Sequence, residues 1–201
     1  MSLFRRIFGL KDNNEENIKN EERGKYMPEI KLPVDERFTI NFKANGGKFL
    51  YCENMQEIAD SLNNILKENK WGDKQVFLLD ERLKELFKEF DFNCTKKTSE
   101  ATYFFSTCEY LISDDGSILI SSNQIAEKKL RDLPSNFIIY ATTSQLVENI
   151  GEGLRGIKGK NRDKIPTNIT TIKHFKTQEE KDFLTYGSSS KNLYLLLLED
   201  L

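Results

Sequence analysis

Short, uninterrupted apolar runs alternate along this chain with stretches whose apolar residues recur every three or four positions. The barest run is Leu195-Leu196-Leu197-Leu198, within residues 193–199; residues 75–79, 101–105 and 136–140 are of the same kind. A strand without polar alternation is buried on both faces, the condition of an interior strand in a parallel sheet. Between these runs lie helical stripes. Asn54 with Glu57 three residues on reads as a capping pair, and Met55, Ile58, Ala59, Leu62, Ile65 and Leu66 fall on one helical face. Trp71-Gly72 closes that helix, and residues 81–90 return to helical period through Leu83, Leu86, Phe87 and Phe90. Strand, helix, strand, helix predicts an α/β fold, an open and mostly parallel sheet in three layers.

The other elements follow from local pattern. Residues 38–42 (Phe-Thr-Ile-Asn-Phe) alternate and predict a strand, Gly46-Gly47 a turn, and residues 48–52 a second strand. Residues 110–113 and 117–121 flank Asp114-Asp115-Gly116, which predicts a two-strand turn with glycine where positive φ is cheap. Residues 124–131 predict one or two helical turns ahead of Pro134. Thr143-Ser144 is expected to cap a helix carrying Leu146, Val147, Ile150 and Leu154, and residues 168–172 form a further strand. Residues 11–36 are rich in Asn, Glu and Lys and hold too little apolar surface to offset their ordering. The chain therefore divides into a flexible N-terminal arm, residues 1–36, and an α/β domain, residues 37–201. Within the arm, Leu3, Phe4, Ile7 and Phe8 share a helical face that suits a membrane surface or a partner groove; a short frayed terminal helix is the plainer reading.

Composition narrows the function. Thirty basic side chains meet 32 acidic ones, a net charge of −2, so the surplus that non-specific nucleic-acid binding needs is missing. The three cysteines, Cys52, Cys94 and Cys108, form no CxxC pair, and with one histidine they supply no zinc or iron–sulfur framework. Reduced thiols in the cytoplasm are expected. No apolar stretch has the ~18–20 residues of a spanning helix, and no secretory signal opens the chain. No cofactor or metal is expected.

The block from Ala101 to Ser122, Ala-Thr-Tyr-Phe-Phe-Ser-Thr-Cys-Glu-Tyr-Leu-Ile-Ser-Asp-Asp-Gly-Ser-Ile-Leu-Ile-Ser-Ser, resembles the LUD domain of the lactate-utilisation protein C (YkgG-like) family. The family pattern there is an apolar strand, an Ala-Ile-Ala-like piece, Glu/Asp-Thr-Gly-Thr/Ser, and an apolar strand ending in Ser. Leu133-Pro134 ahead of residues 136–140, the helix over 144–154, Pro166-Thr-Asn-Ile-Thr-Thr-Ile172 and residues 193–200 keep the family's order, so the resemblance covers about residues 38–201. It implies a fold of the NagB/RpiA/CoA-transferase-like group and a place beside iron–sulfur and FAD-type subunits in oxidising L-lactate to pyruvate. Two polar loops depart from the family. Residues 173–180 (Lys-His-Phe-Lys-Thr-Gln-Glu-Glu) stand where it has a Gly-Pro-Ser-x-Thr-Ala-Asp-like stretch, and residues 186–190 (Tyr-Gly-Ser-Ser-Ser) replace Gly-x-His-Gly-Pro. The chain thus reads as a divergent member.

Polar residues expected at strand tips are the candidate ligand contacts, since open α/β sheets bind beyond strand C-termini. Asp115, Gly116 and Ser117 can position a ligand, or simply supply the chemistry of a tight turn. Ser121 and Ser122 end the next strand and could face the same cleft. His174 follows a strand and could act as a base, or be an ordinary surface residue. Gly187 and Ser188 open a small-residue loop that could cradle a phosphate or carboxylate, or serve as a connector. Residues 151–164 hold five basic and two acidic residues with four glycines; they read as a mobile loop that folds over an anion through Arg155, Lys158, Lys160 and Arg162, contacts an acidic partner, or stays solvated. Its GxGxxG spacing reads as lying at a helix end, outside the strand-to-helix setting of a dinucleotide site. Cys108 has no basic neighbour and reads as a small buried residue. The expected function is a non-redox accessory protein of L-lactate utilisation that binds iron–sulfur oxidoreductase subunits or a small anionic ligand. The alternative is a stand-alone enzyme of the NagB/CoA-transferase-like group acting on a CoA, folate or sugar-phosphate ligand.

Overall fold

The computed structural model describes residues 32–162, 164–175 and 191–200. Six strands form one parallel sheet: β1 (Lys48–Cys52), β2 (Val76–Phe77), β3 (Cys94–Thr95), β4 (Tyr103–Thr107), β7 (Asn136–Thr142) and β10 (Asn192–Leu198), in the order β1-β10-β7-β4-β2-β3. The leucine run lies in β10, paired on both sides. Leu193, Leu195 and Leu197 enter one core and Tyr194 and Leu196 the opposite one, the period of two expected of a strand buried twice.

One face of this sheet is covered by helices α2 (Met55–Glu68) and α3 (Glu81–Leu86). The start of α2 is as expected: the Asn54 side chain accepts from the Glu57 N–H, and the Glu57 carboxylate accepts from the Glu53 N–H. The other face is covered by helix α1 (Val34–Ala44) and a second, four-stranded sheet of β5 (Tyr110–Ile112), β6 (Ser117–Ile120), β8 (Leu146–Val147) and β9 (Thr170–Ile172), ordered β8-β5-β6-β9. Helix α5 (Ile150–Lys160) lies on the outer side of that small sheet, with Ile157 packed on Tyr110, Ile112 and Leu119. The short α4 (Ser122–Ile125) follows β6. The open three-layer α/β architecture is therefore present, its third layer part helix and part sheet.

Three expectations are corrected. Residues 38–42 are helical, inside α1. Phe38 and Phe42 lie one turn apart and stack at 5.3 Å, whereas Ile40 between them is 45% exposed; a strand would have put all three on one face. Pro33 at the cap with Asp35 and Glu36 in the first turn is the helix-start chemistry that the alternation masked. Second, Thr143-Ser144 opens only a 3-10 turn, Leu146–Val147 is strand β8 on β5, and the helix begins at Ile150 under an Asn149 cap. Third, residues 150–160 of the glycine-rich segment are helix, not loop. A Cβ on Gly153 would lie 3.0 Å from Leu119 Cδ2, and one on Gly156 would collide with the Tyr110 ring. These glycines let α5 approach the small sheet closely. The GxGxxG spacing thus lies within α5, with its first turn capped by Asn149 and Glu152.

Candidate ligand-binding cleft

Parallel strands send their C-terminal ends to one edge, and loops leaving that edge form the crevice where open α/β sheets hold ligands. Here β2 continues into Leu79 and Asp80, which caps α3, and β4 continues through Cys108 and Glu109 into β5. With Tyr140 of β7, α4 and the end of α5, they enclose a cleft of about 820 Å³.

Glu109 is at the centre of its chemistry. The residue is 9% exposed yet lines the cleft. Its Oε1 accepts from Ser121 Oγ at 2.6 Å and Asn123 Nδ2 at 2.9 Å; among the described residues Oε2 takes no hydrogen bond. Ser121 is itself fixed as the cap of α4, with its backbone N–H donating to Gln124 Oε1 at 2.8 Å. The main chain is fixed too. Gln145 Nε2 donates to the Cys108 carbonyl at 2.7 Å while its Oε1 accepts from the Thr142 N–H, tying the ends of β4 and β7 together.

Two cations stand at the rim. The Arg82 guanidinium forks onto Asp80, Nε to Oδ1 at 3.2 Å and Nη2 to Oδ2 at 3.1 Å, with the Arg82 side chain 91% exposed. Burial alone would raise the Asp80 carboxyl, but hydrogen bonds from Arg82 and the backbone N–H groups outweigh it and hold it below the ordinary value. Arg82 is raised in turn, by Asp80 first and then by the field of Glu109. The Lys160 ammonium lies 4.7 Å from the Tyr110 ring centroid. Cys108 is buried, its thiol pushed far up by desolvation and then by Glu109, so it offers no thiolate. Three carboxylates (Asp80, Glu81, Glu109) thus line the cleft with two cations (Arg82, Lys160).

The candidate residues do not gather at one place. Asp115, Gly116 and Ser117 form the hairpin tip, docked on α1. Asp115 Oδ1 accepts from Ser117 N and Oγ at 3.1 and 2.6 Å, Asn45 Nδ2 donates to the Asp115 carbonyl at 2.7 Å, and Lys173 pairs with Asp115 at 3.4 Å. Ser121 is at the opposite end of β6, four strand residues away, roughly 13 Å at 3.3 Å per residue. One cleft shared by Asp115 and Ser121 is therefore corrected to two ends of a hairpin. Ser121 supports Glu109, while Ser122 exchanges hydrogen bonds with the Thr167 backbone and secures the approach to β9. Arg155 and Lys158 are exposed on α5; Lys160 of the same helix reaches the cleft instead. His174 is exposed, its carbonyl accepting from Lys191 N–H. Gly187 and Ser188, like the amphipathic stretch 1–10, lie outside the described residues.

Glu109, Arg82 and Asn123 were not among the candidates read from the sequence. A signal existed for Glu109: it is the one charged residue in positions 101–113. A carboxylate inside a segment otherwise built for burial needs a purpose or a partner.

Fold and cleft together define an open α/β protein with a polar crevice at the C-terminal edge of its parallel sheet. The LUD domain model matches residues 36–198, and the chain belongs to the LUD domain family. Among solved structures it is similar to a DUF162 family protein from Deinococcus radiodurans, at 14% identity and a TM-score of 0.58, covering 85% of this chain and 100% of that one. That likeness supports the fold alone. No curated protein matches the chain. Among the described residues no helix is long and apolar enough to cross a membrane, and no group of three His, Cys, Asp or Glu could hold a metal ion.

Proposed function

We propose that the chain is a non-redox accessory protein of L-lactate utilisation, of the lactate-utilisation protein C type, acting in the cytoplasm beside iron–sulfur oxidoreductase subunits and holding a small carboxylic acid in the cleft. The observation that carries the reading is Glu109, a buried carboxylate pinned through one oxygen and open to the cleft through the other, with Arg82 and Lys160 on the same lining. Preoriented polar groups at the edge of an apolar wall are what a small-ligand site consists of. Leu79, Leu83 and Leu86 supply that wall. Family membership supports the link to lactate.

The cleft is larger than a three-carbon acid requires, and this favours one second reading: a stand-alone enzyme of the NagB/CoA-transferase-like group that accepts a CoA, folate or sugar-phosphate ligand. Thermal unfolding separates the two. L-Lactate or pyruvate at 100 times its dissociation constant adds about 2.7 kcal/mol of stability, and Arg82→Ala diminishes the shift. Stabilisation by a phosphorylated ligand or a CoA ester, with none from the short acids, replaces the first reading by the second.

A further inference from the structure

The helical face of the large sheet carries a second concavity, a groove of about 690 Å³ beside α2 that shares no lining residue with the cleft. Thr107, the last residue of β4, lines the cleft, whereas Tyr103, the first, lines the groove. We infer that this groove binds a linear polyamine, whose ammonium groups meet the Tyr103 hydroxyl at the floor and the carboxylates of the walls.

Tyr103 supplies the observation that points to a ligand. The residue is 1% exposed, and among the described residues its hydroxyl takes no hydrogen bond. Its ring lies flat on Trp71, the centroids 5.1 Å apart and the planes 10° from parallel. The turn that ends α2 brings Trp71 there: Lys70 takes φ +57°, and the Trp71 N–H donates to the Leu66 carbonyl at 2.8 Å. A buried hydroxyl without a partner is costly until something entering the groove bonds to it. Desolvation pushes the phenol far above its ordinary value, so it stays neutral and its oxygen is free to accept. Charge then selects the donor. Asp60, Asp73, Glu89 and Asp91 line the groove against Lys67 and Lys70, and among the described residues none of the six forms an ion pair. This excess repels an anion and draws in a cation. Phe90 and Phe92, stacked at 5.7 Å, offer a surface for methylenes and ring faces for ammonium groups. Shape narrows the cation. Gln56 and Lys67 both line the groove, and their separation along α2 is roughly 16 Å at 1.5 Å per residue. A thin, unbranched chain with several charges matches carboxylates spread over both walls and reaches a hydroxyl so nearly closed off. A metal ion does not, because no group of three ligating side chains gathers among the described residues.

Isothermal titration calorimetry on the full chain with spermidine tests this, with magnesium ion as a compact cation and 1,8-octanediol as an uncharged chain of similar length. The wild-type chain binds one spermidine, at least about tenfold more tightly than magnesium ion, and does not bind the diol. Tyr103→Phe keeps the ring on Trp71 and loses only the acceptor, so spermidine binds about fivefold more weakly. Its hydroxyl has no protein partner to lose, and the fold stands. Glu89→Gln combined with Asp91→Asn weakens spermidine by at least about threefold, most at low salt. L-Lactate binding in the cleft is the same in all three proteins, which keeps this site's failure distinct from failure of the function proposed above. Absence of spermidine binding, binding that magnesium ion or the diol equals, or either variant binding spermidine like the wild type overturns the inference. Should Tyr103→Phe not fold, the carboxylate variant decides alone.

Discussion

Phe42→Ala lowers the unfolding free energy by about 3–5 kcal/mol, whereas Ile40→Ala changes it by no more than about 0.5 kcal/mol. The two residues are two positions apart in a segment that alternates polar and apolar side chains, and the difference between them is the signature of a helix. Phe42 is fully buried, stacked on Phe38 at 5.3 Å, against Phe175 at 4.9 Å and facing Phe49 at 6.5 Å. Its removal leaves a cavity between α1 and both sheets that rigid ring neighbours cannot close. Ile40 is 45% exposed and has little to lose. Urea unfolding of both variants measures the contrast. Equal losses would return the segment to a strand with Phe38, Ile40 and Phe42 on one face.

Gly116→Ala costs about 3 kcal/mol. Gly116 has φ +66°, a conformation that an alanine adopts only with strain. A Cβ there would also collide with main-chain atoms of Asn41 and Phe42 in α1. Backbone cannot step aside as a side-chain tip can, so the hairpin must lift. Lifting breaks the bonds from Asn41 Nδ2 to the Ser113 and Asp114 carbonyls and from Asn45 Nδ2 to the Asp115 carbonyl. Gly72→Ala is the control: its added methyl meets nothing within 4 Å, and its effect on a thermal melt is near neutral. A Gly116→Ala protein as stable as the control would show that the hairpin does not rest on α1.

These two positions also show how far sequence reading carries. The Asp-Gly turn is legible because its chemistry is local: glycine supplies the positive φ, and Asp115 closes the turn through Ser117. The interior strands are legible because burial on both faces removes the polar alternation, as in β7 and β10. Residues 38–42 are not, since phenylalanines four apart share a helix face and, with Ile40 midway between them, fit a strand face equally. Packing on Phe49 and Phe175, across a turn and distant in sequence, joins the helix-start chemistry of Pro33, Asp35 and Glu36 in deciding between them. The glycine-rich α5 was hidden for the opposite reason. Helix propensity speaks against Gly151, Gly153, Gly156 and Gly159, and at Gly153 and Gly156 close approach to Leu119 and Tyr110 favours glycine nonetheless.

The cleft was partly legible. Its location follows from the general rule for parallel sheets, and Ser121, a candidate from the sequence, directly follows β6 with its hydroxyl donating to Glu109. Its central carboxylate was not, because nothing local ties Glu109 to residues twelve and fourteen positions on. The hairpin between them folds back and delivers both donors to one oxygen, an outcome of pairing Tyr110 with Leu119. The position of a bound ligand is therefore the decisive observable. A crystal of the full chain grown with L-lactate measures this most directly. The expected result is electron density for lactate inside the cleft, against the lining that Glu109, Arg82 and Lys160 share. Lactate bound instead beside the Asp115 turn or the exposed His174, with the Glu109 cleft unaltered, would contradict it.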